Sequence, residues 1–289
     1  MDLVLFFGVE LPGDWSCWGD EKMKTLKRYG RLYKVFVAQF FKSLVQSKAD
    51  FLIGLLGFFF TQITGIAFLY LVFEQIPTLA NWNLYQLIFI YGFAQIPRGL
   101  DHLFTDNIWL VAWRLVVNGK FDRYLLRPMN LFLQVIFEKL QPDALGELLV
   151  GIILIVFSLQ KGIVIVDGTH IILFGVSVIA GAVIYTAVKL LFASFAFWIK
   201  ISGPVLYTAY QLADFAKYPT EIYAKGVRFI ITWIIPFGFV AYLPASFFLK
   251  PDVSAFATIG VECLIAAVFF LAAYTVFTMG TRAYESAGN

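Results

Sequence analysis

Charge is scarce in this chain: 14% of its 289 residues are Asp, Glu, Lys or Arg, against about 25% in an average soluble domain. Cysteine is nearly absent. Cys17 and Cys263 stand far apart with no metal-ligand spacing, which excludes a disulfide framework and a zinc site. The histidines are His102 and His170 alone, and there is no H-E-x-x-H and no G-x-S-x-G. The phosphate-cradling pattern G-x-x-x-x-G-K-[ST] is missing too, since Gly119-Lys120 runs on into Phe121. Catalysis by this chain is therefore not expected, nor is any cofactor held by it. A net charge of +3 is too small to suggest nucleic acid as a partner.

What the chain has in excess is apolar residues. They make up 60% of it, with 32 Phe and 14 Tyr, and the mean hydropathy is +0.79. Apolar runs close to ~20 residues recur, the length that crosses a hydrocarbon core ~30 Å thick. The expected fold is all-α, a polytopic membrane protein.

Taken in order, residues 1–22 fit the rest poorly: 1–10 are apolar but carry Asp2 and no basic n-region, so they make no signal peptide. Met23 precedes a basic segment and is an alternative start. Over 25–48, Leu26, Tyr29, Tyr33, Phe36, Phe40 and Leu44 form one stripe and Lys27, Arg28, Arg31, Lys34 and Lys42 gather opposite. A basic face backed by an aromatic one suits an N-terminal amphipathic helix lying in the membrane interface. Spans are expected at 51–73, 84–105, 143–160 and 170–199. The loop after the first, with Glu74 and Asn81-Trp82-Asn83, has no Lys or Arg and faces outward, whereas 108–128 holds Arg114, Lys120, Arg123 and Arg127 and faces the cytoplasm.

The segment 200–250 admits two readings. Either 201–217 spans and 219–249, broken by Pro219, Pro236 and Pro244, is a re-entrant outer pair, or 229–249 is the span. The charge rule favours the second, because Lys217, Lys225 and Arg228 otherwise face outward. Both give six transmembrane helices, the last over 254–280, and an inner C-terminus.

Ionisable residues inside the spans mark charge pairs or a pathway. Arg98 and Asp101, three residues apart, are expected to pair, and Glu147 and Lys189 fall at similar depth and can do the same. Glu262, near the outer end of the last span, is expected to meet Arg228 or Lys225 or to face the pathway.

The longest charged, turn-marked segment between apolar blocks is Val117-Asn118-Gly119-Lys120-Phe121-Asp122-Arg123-Tyr124-Leu125-Leu126-Arg127-Pro128. Asn118-Gly119 can close one helix, Asp122 can open a second, and Arg127-Pro128 ends it. The result is a helix-break-helix elbow.

That elbow, ending Leu-Leu-Arg-Pro, resembles the corresponding turn of ABC-2 type permeases, the membrane subunits of ATP-binding-cassette exporters. Phe215-Ala216-Lys217-Tyr218-Pro219-Thr220-Glu221-Ile222-Tyr223, continuing to Arg228, Ile235-Pro236 and Tyr242-Leu243-Pro244-Ala245, is similar too, as is the ending Arg282-Ala283-Tyr284-Glu285-Ser286-Ala287. Lys120 departs from the acidic residue common at that position. The resemblance runs from 23 to 289 as a single transmembrane domain and implies an exporter permease, against the alternative of a secondary transporter or channel. It implies that 25–48 is the interfacial connecting helix and that 219–249 is the re-entrant outer element. The stretch 108–128 would be the cytoplasmic coupling segment, with Gly119, Phe121, Asp122, Arg123, Leu125, Arg127 and Pro128 meeting the ATPase. Its cations would face carboxylates there while Phe121 and Leu125 enter an apolar cleft. The implied partners are a cassette ATPase dimer, which binds the ATP and Mg, a second permease, identical or homologous, and membrane lipid. The implied location is a bacterial plasma membrane, multi-pass, with both termini cytoplasmic.

Overall fold

The computed structural model describes residues 48–164, 167–250 and 252–286, with side chains from Leu52 onward. Residues 1–22 and the interfacial helix expected over 25–48 lie outside the described residues, apart from Lys48, which opens the first helix. The described chain is helical, and its one β-bridge, Leu79 to Trp82, closes a tight turn in which Ala80 and Asn81 both have positive φ.

The first helix, α1, covers Lys48–Gln75, and α2 covers Leu84–Thr105. Asn83 and Gln86 cap α2 reciprocally, each side chain accepting from the other's backbone N–H, which fixes where the chain re-enters. A short α3, Ile108–Leu110, runs on through a π-turn, Val111–Leu115, into the elbow and α4, Asp122–Leu125. Helices α5 (Leu131–Phe137), α6 (Leu145–Leu159) and α7 (Gly168–Ser194) follow, then one-turn α8 (Ala196–Ile199). The stretch 201–217, one of the two candidates for the fifth span, is a short α9, Gly203–Gln211, prolonged by a 3-10 segment, Leu212–Lys217, and is not among the helices long and apolar enough to cross a membrane. Beyond it α10 (Lys225–Phe229) continues as a π-turn to Ile234, breaks at Ile235-Pro236 and returns as Phe237–Phe239 and α11 (Tyr242–Leu249). The two limbs meet at 78°. The last long helix is α12, Val261–Ala283, preceded by a π-turn, Phe256–Gly260.

Among the described residues four helical stretches are long and apolar enough to cross a membrane: Leu52–Gln75, Pro142–Leu159, Gly168–Ile199 and Phe256–Ala283. The bent pair makes a fifth if it counts as one span. Helix α2 falls outside that set because Arg98, Asp101 and His102 interrupt its C-terminal half, although 87–95 are buried. It packs along both α6 and α7. Gly92 and Gly151 let α2 and α6 touch backbone to backbone: a Cβ on Gly151 would stand 2.7 Å from Ile96 Cγ1 and 3.0 Å from the Gly92 carbonyl oxygen.

Three buried clusters result. One surrounds Phe89, Phe93, Trp82 and Phe248 where α2, α6 and α11 meet. A second joins the elbow to the ends of α7, α8 and α12. A third lies between α7, α9 and the 237–240 turn. From α9 the chain follows α2 in reverse, Tyr210 meeting Asp101, Asp214 meeting Arg98, and Tyr218 standing edge-on to Tyr91. Tyr242 then lies against Trp82, ring centroids 5.8 Å apart, and donates to Glu221 at 2.6 Å. Phe237, at the turn of the bent pair, packs instead on Tyr185 in the middle of α7.

Candidate functional site: the elbow and the charge network above it

The elbow is built as its turn chemistry predicts. Gly119 sits at φ +64°, a conformation that glycine adopts without a Cβ clash, and Phe121 N–H closes the turn on the Leu115 carbonyl at 2.9 Å. Asp122 opens α4, and the chain leaves it at Arg127-Pro128. Asn130 then caps α5 by accepting from Leu133 N–H.

What the elbow is fastened to was not legible in its sequence. Phe121 is fully buried, its ring 5.0 Å from Phe197, 5.3 Å from Tyr284 and 5.5 Å from Tyr124. It therefore cannot enter a cleft on another protein; it anchors the elbow to α8 and the end of α12. Arg123 is not free either, since its Nη2 pairs with Glu138 at 2.5 Å and Tyr124 donates to the same carboxylate. Asp122 accepts from Tyr284 Oη at 2.8 Å and Ser286 Oγ at 2.6 Å, so the chain's C-terminal end clasps the elbow. The exposed tip is Lys120, Leu125, Leu126, Arg127 and Pro128. Leu126, which was not among the residues expected to meet the ATPase, is 84% exposed and Leu125 46%.

Those two hydroxyl donors hold the Asp122 carboxyl below the usual aspartate range. A depressed pKa means the clasp is complete at neutral pH and is lost only as pH falls through that lowered value, below the ordinary value of about 4. Protease cleavage after the Arg282–Tyr284 region is accordingly expected to stay slow from pH 7 to pH 5. Asp122→Asn should speed it at neutral pH, which limited proteolysis of the membrane-embedded protein measures.

Above the elbow, Arg98, Asp101, Glu147 and Lys189 are gathered, but with exchanged partners. Arg98 donates to Asp214 at 2.8 Å and lies 3.8 Å from Glu147, rather than pairing with Asp101. Lys189 pairs with Asp101 at 2.8 Å, rather than with Glu147. The reason is helical geometry. Positions three apart stand about 60° apart round the axis, so Arg98 points at α6 and the 212–217 segment while Asp101 points at α7. Asp101 and Lys189 have no side-chain exposure, and Asp101 also accepts from Thr105, Thr186 and Tyr210. His102 bridges Glu147, Asp106 and Asp143 at 3.5–3.9 Å. Asp214 accepts from Lys217 as well, at 2.7 Å, a partnership that the three-residue spacing could have signalled.

For Glu262 the first of the two expected arrangements, contact with Arg228 or Lys225, does not form. The side chain is buried between α12 and α7, accepting from Ser177 Oγ at 2.5 Å, and meets neither Arg228 nor Lys225. Its Oε1 has no hydrogen-bond partner among the described residues.

Long apolar helices stitched together by buried charge, with a rigid charged elbow fastened to their ends, define an integral membrane protein. The sequence matches the family described as ABC-2 family transporter protein over residues 59–288, and the chain belongs to that family. It is thus a membrane permease component of an ABC transporter. No curated protein matches the chain.

Proposed function

We propose that the chain is the permease subunit of an ABC exporter, forming the substrate path and driven by separate cassette ATPases that bind ATP and Mg. The observation that carries this reading is the elbow: an exposed apolar and cationic tip whose root is fixed to α5, α8 and the end of α12. A push on such a tip reaches three helices at once, which is what an ATPase dimer needs. The chain itself then supplies no catalytic group, and the pathway is completed by a second permease, identical or homologous.

The same reading takes six spans: the four long helices, α2 and the 203–217 segment. Helix α2 has 22 residues, or ~33 Å at 1.5 Å per residue, enough for the core. The bent pair is then a re-entrant outer element. This is supported by Tyr242 and Glu221 lying beside Trp82 of the 76–83 loop while Phe237 reaches Tyr185. The elbow cations support a cytoplasmic side for 108–128, and the reading takes both termini to lie on that side of a bacterial plasma membrane. Copurification from native membranes tests the whole reading. Two permeases with two cassette ATPases are expected, and purification of this chain without any ATPase would overturn it in favour of a secondary transporter or channel.

A further inference from the structure

Between the limbs of the bent pair lies a cavity of about 420 Å³ lined by Lys225, Arg228, Thr220, Phe229, Trp233 and Phe239 among others. Its lining is sorted by chemistry. Lys225 and Arg228, three residues apart on one helical face, bring positive charge, with the Thr220 and Thr232 hydroxyls beside them. Phe229, Trp233 and Phe239 supply aromatic surface, the last two with ring centroids 5.9 Å apart.

Among the described residues neither cation makes an ion pair; Arg228 lies within electrostatic reach of Tyr242, whose hydroxyl donates to Glu221. On the re-entrant reading the two cations also stand on the outer face, where membrane proteins keep few Lys and Arg. Two such cations over an aromatic slot make a receptor for an anion with an apolar tail.

We propose that this cavity binds an anionic amphiphile of the membrane, an acyl lipid whose phosphate headgroup sits on Lys225 and Arg228 and whose chain lies along Phe229 and Trp233. The hydroxyls of Thr220 and Thr232 give the phosphate two further donors. Ile230 and Ile234, both exposed on the same limb, extend the apolar track for the chain. The site goes beyond the exporter reading, which assigns nothing to this element; only its leaflet rests on that reading.

The test is native mass spectrometry of the purified transporter offered equal amounts of phosphatidylglycerol and phosphatidylcholine. A cation at a membrane surface is worth roughly a fivefold preference for anionic lipid, so at least about that excess of phosphatidylglycerol is expected on the wild type. The double variant Lys225→Gln/Arg228→Gln should bring the two lipids to parity. Lys139→Gln/Lys161→Gln, which removes the same charge elsewhere, should keep the preference. Both pairs are at the surface, and a folded, monodisperse preparation is checked in the same spectra. Parity on the wild type, as when a partner protein's carboxylates occupy the cations, overturns the proposal, and so does a preference that survives in Lys225→Gln/Arg228→Gln. Displacement of the lipid by inorganic phosphate alone overturns the lipid assignment in favour of free phosphate. ATPase copurification is read on the same preparation, so failure of the exporter reading leaves the lipid result standing.

Discussion

Lys189→Met should lower the stability of the purified protein by about 3 kcal/mol, at the low end of the range for breaking a buried ion pair by removing one partner. Two magnitudes compete here. Hydrogen bonds between membrane helices average only about 0.6 kcal/mol, because the unfolded chain in lipid also finds partners. Leaving a carboxylate buried without its cation costs several times that, and Asp101 has no side-chain exposure through which water could compensate. The second effect wins, moderated by the donors that Asp101 keeps in Thr105, Thr186 and Tyr210. Asp101→Asn/Lys189→Met should recover part of the loss, since Asp101 is then neutral; Asp106, 3.4 Å from Lys189, still loses that partner but is partly exposed and keeps His102 beside it. Thermal unfolding in nanodiscs, run as a double-mutant cycle, reads the pair directly. Costs that simply add would show that Lys189 and Asp101 are neighbours without being partners.

Leu126→Asp should leave the permease folded and inserted while weakening its hold on the ATPase about 30-fold or more, the scale of a hot spot worth 2 kcal/mol at a factor of ten per 1.4 kcal/mol. The argument is one of exposure. Leu126 is the most exposed apolar residue of the elbow, 84% exposed, so among the described residues a carboxylate there disrupts little packing. Phe121→Ala is the contrasting variant. It removes a fully buried ring from between Phe197, Tyr124 and Tyr284, so about 3–5 kcal/mol of stability should be lost and the protein should fail before the question of coupling arises. Arg123→Glu is a poor probe, because it sets a second carboxylate beside Glu138 and loosens the elbow from within. ATPase pull-down and transport-linked hydrolysis distinguish the outcomes. Wild-type binding and coupled hydrolysis in Leu126→Asp would mean that the elbow tip is not where the ATPase pushes.

The parts legible in the sequence are those that local physics decides. Apolar runs of span length place α1, α6, α7 and α12 within a few residues of their observed bounds, because transfer to lipid acts on each stretch separately. The elbow turn follows likewise from Gly119 and Pro128, whose backbone limits need no neighbour. Partners do not follow in this way. Asp214 lies 116 residues from Arg98, and Ser286 lies 164 from Asp122; no spacing rule reaches that far. Phe121 reads as a docking residue in sequence because an aromatic beside cations is equally apt for a partner's cleft or for its own core. Only the packing of α8 and α12 around it made it core. The exchange of charge partners has the same cause: the residue types fixed that Arg98, Asp101, Glu147 and Lys189 had to be neutralised inside the membrane. The rotation of α2 against α6, α7 and α9, set by close packing at Gly92 and Gly151, decided by whom.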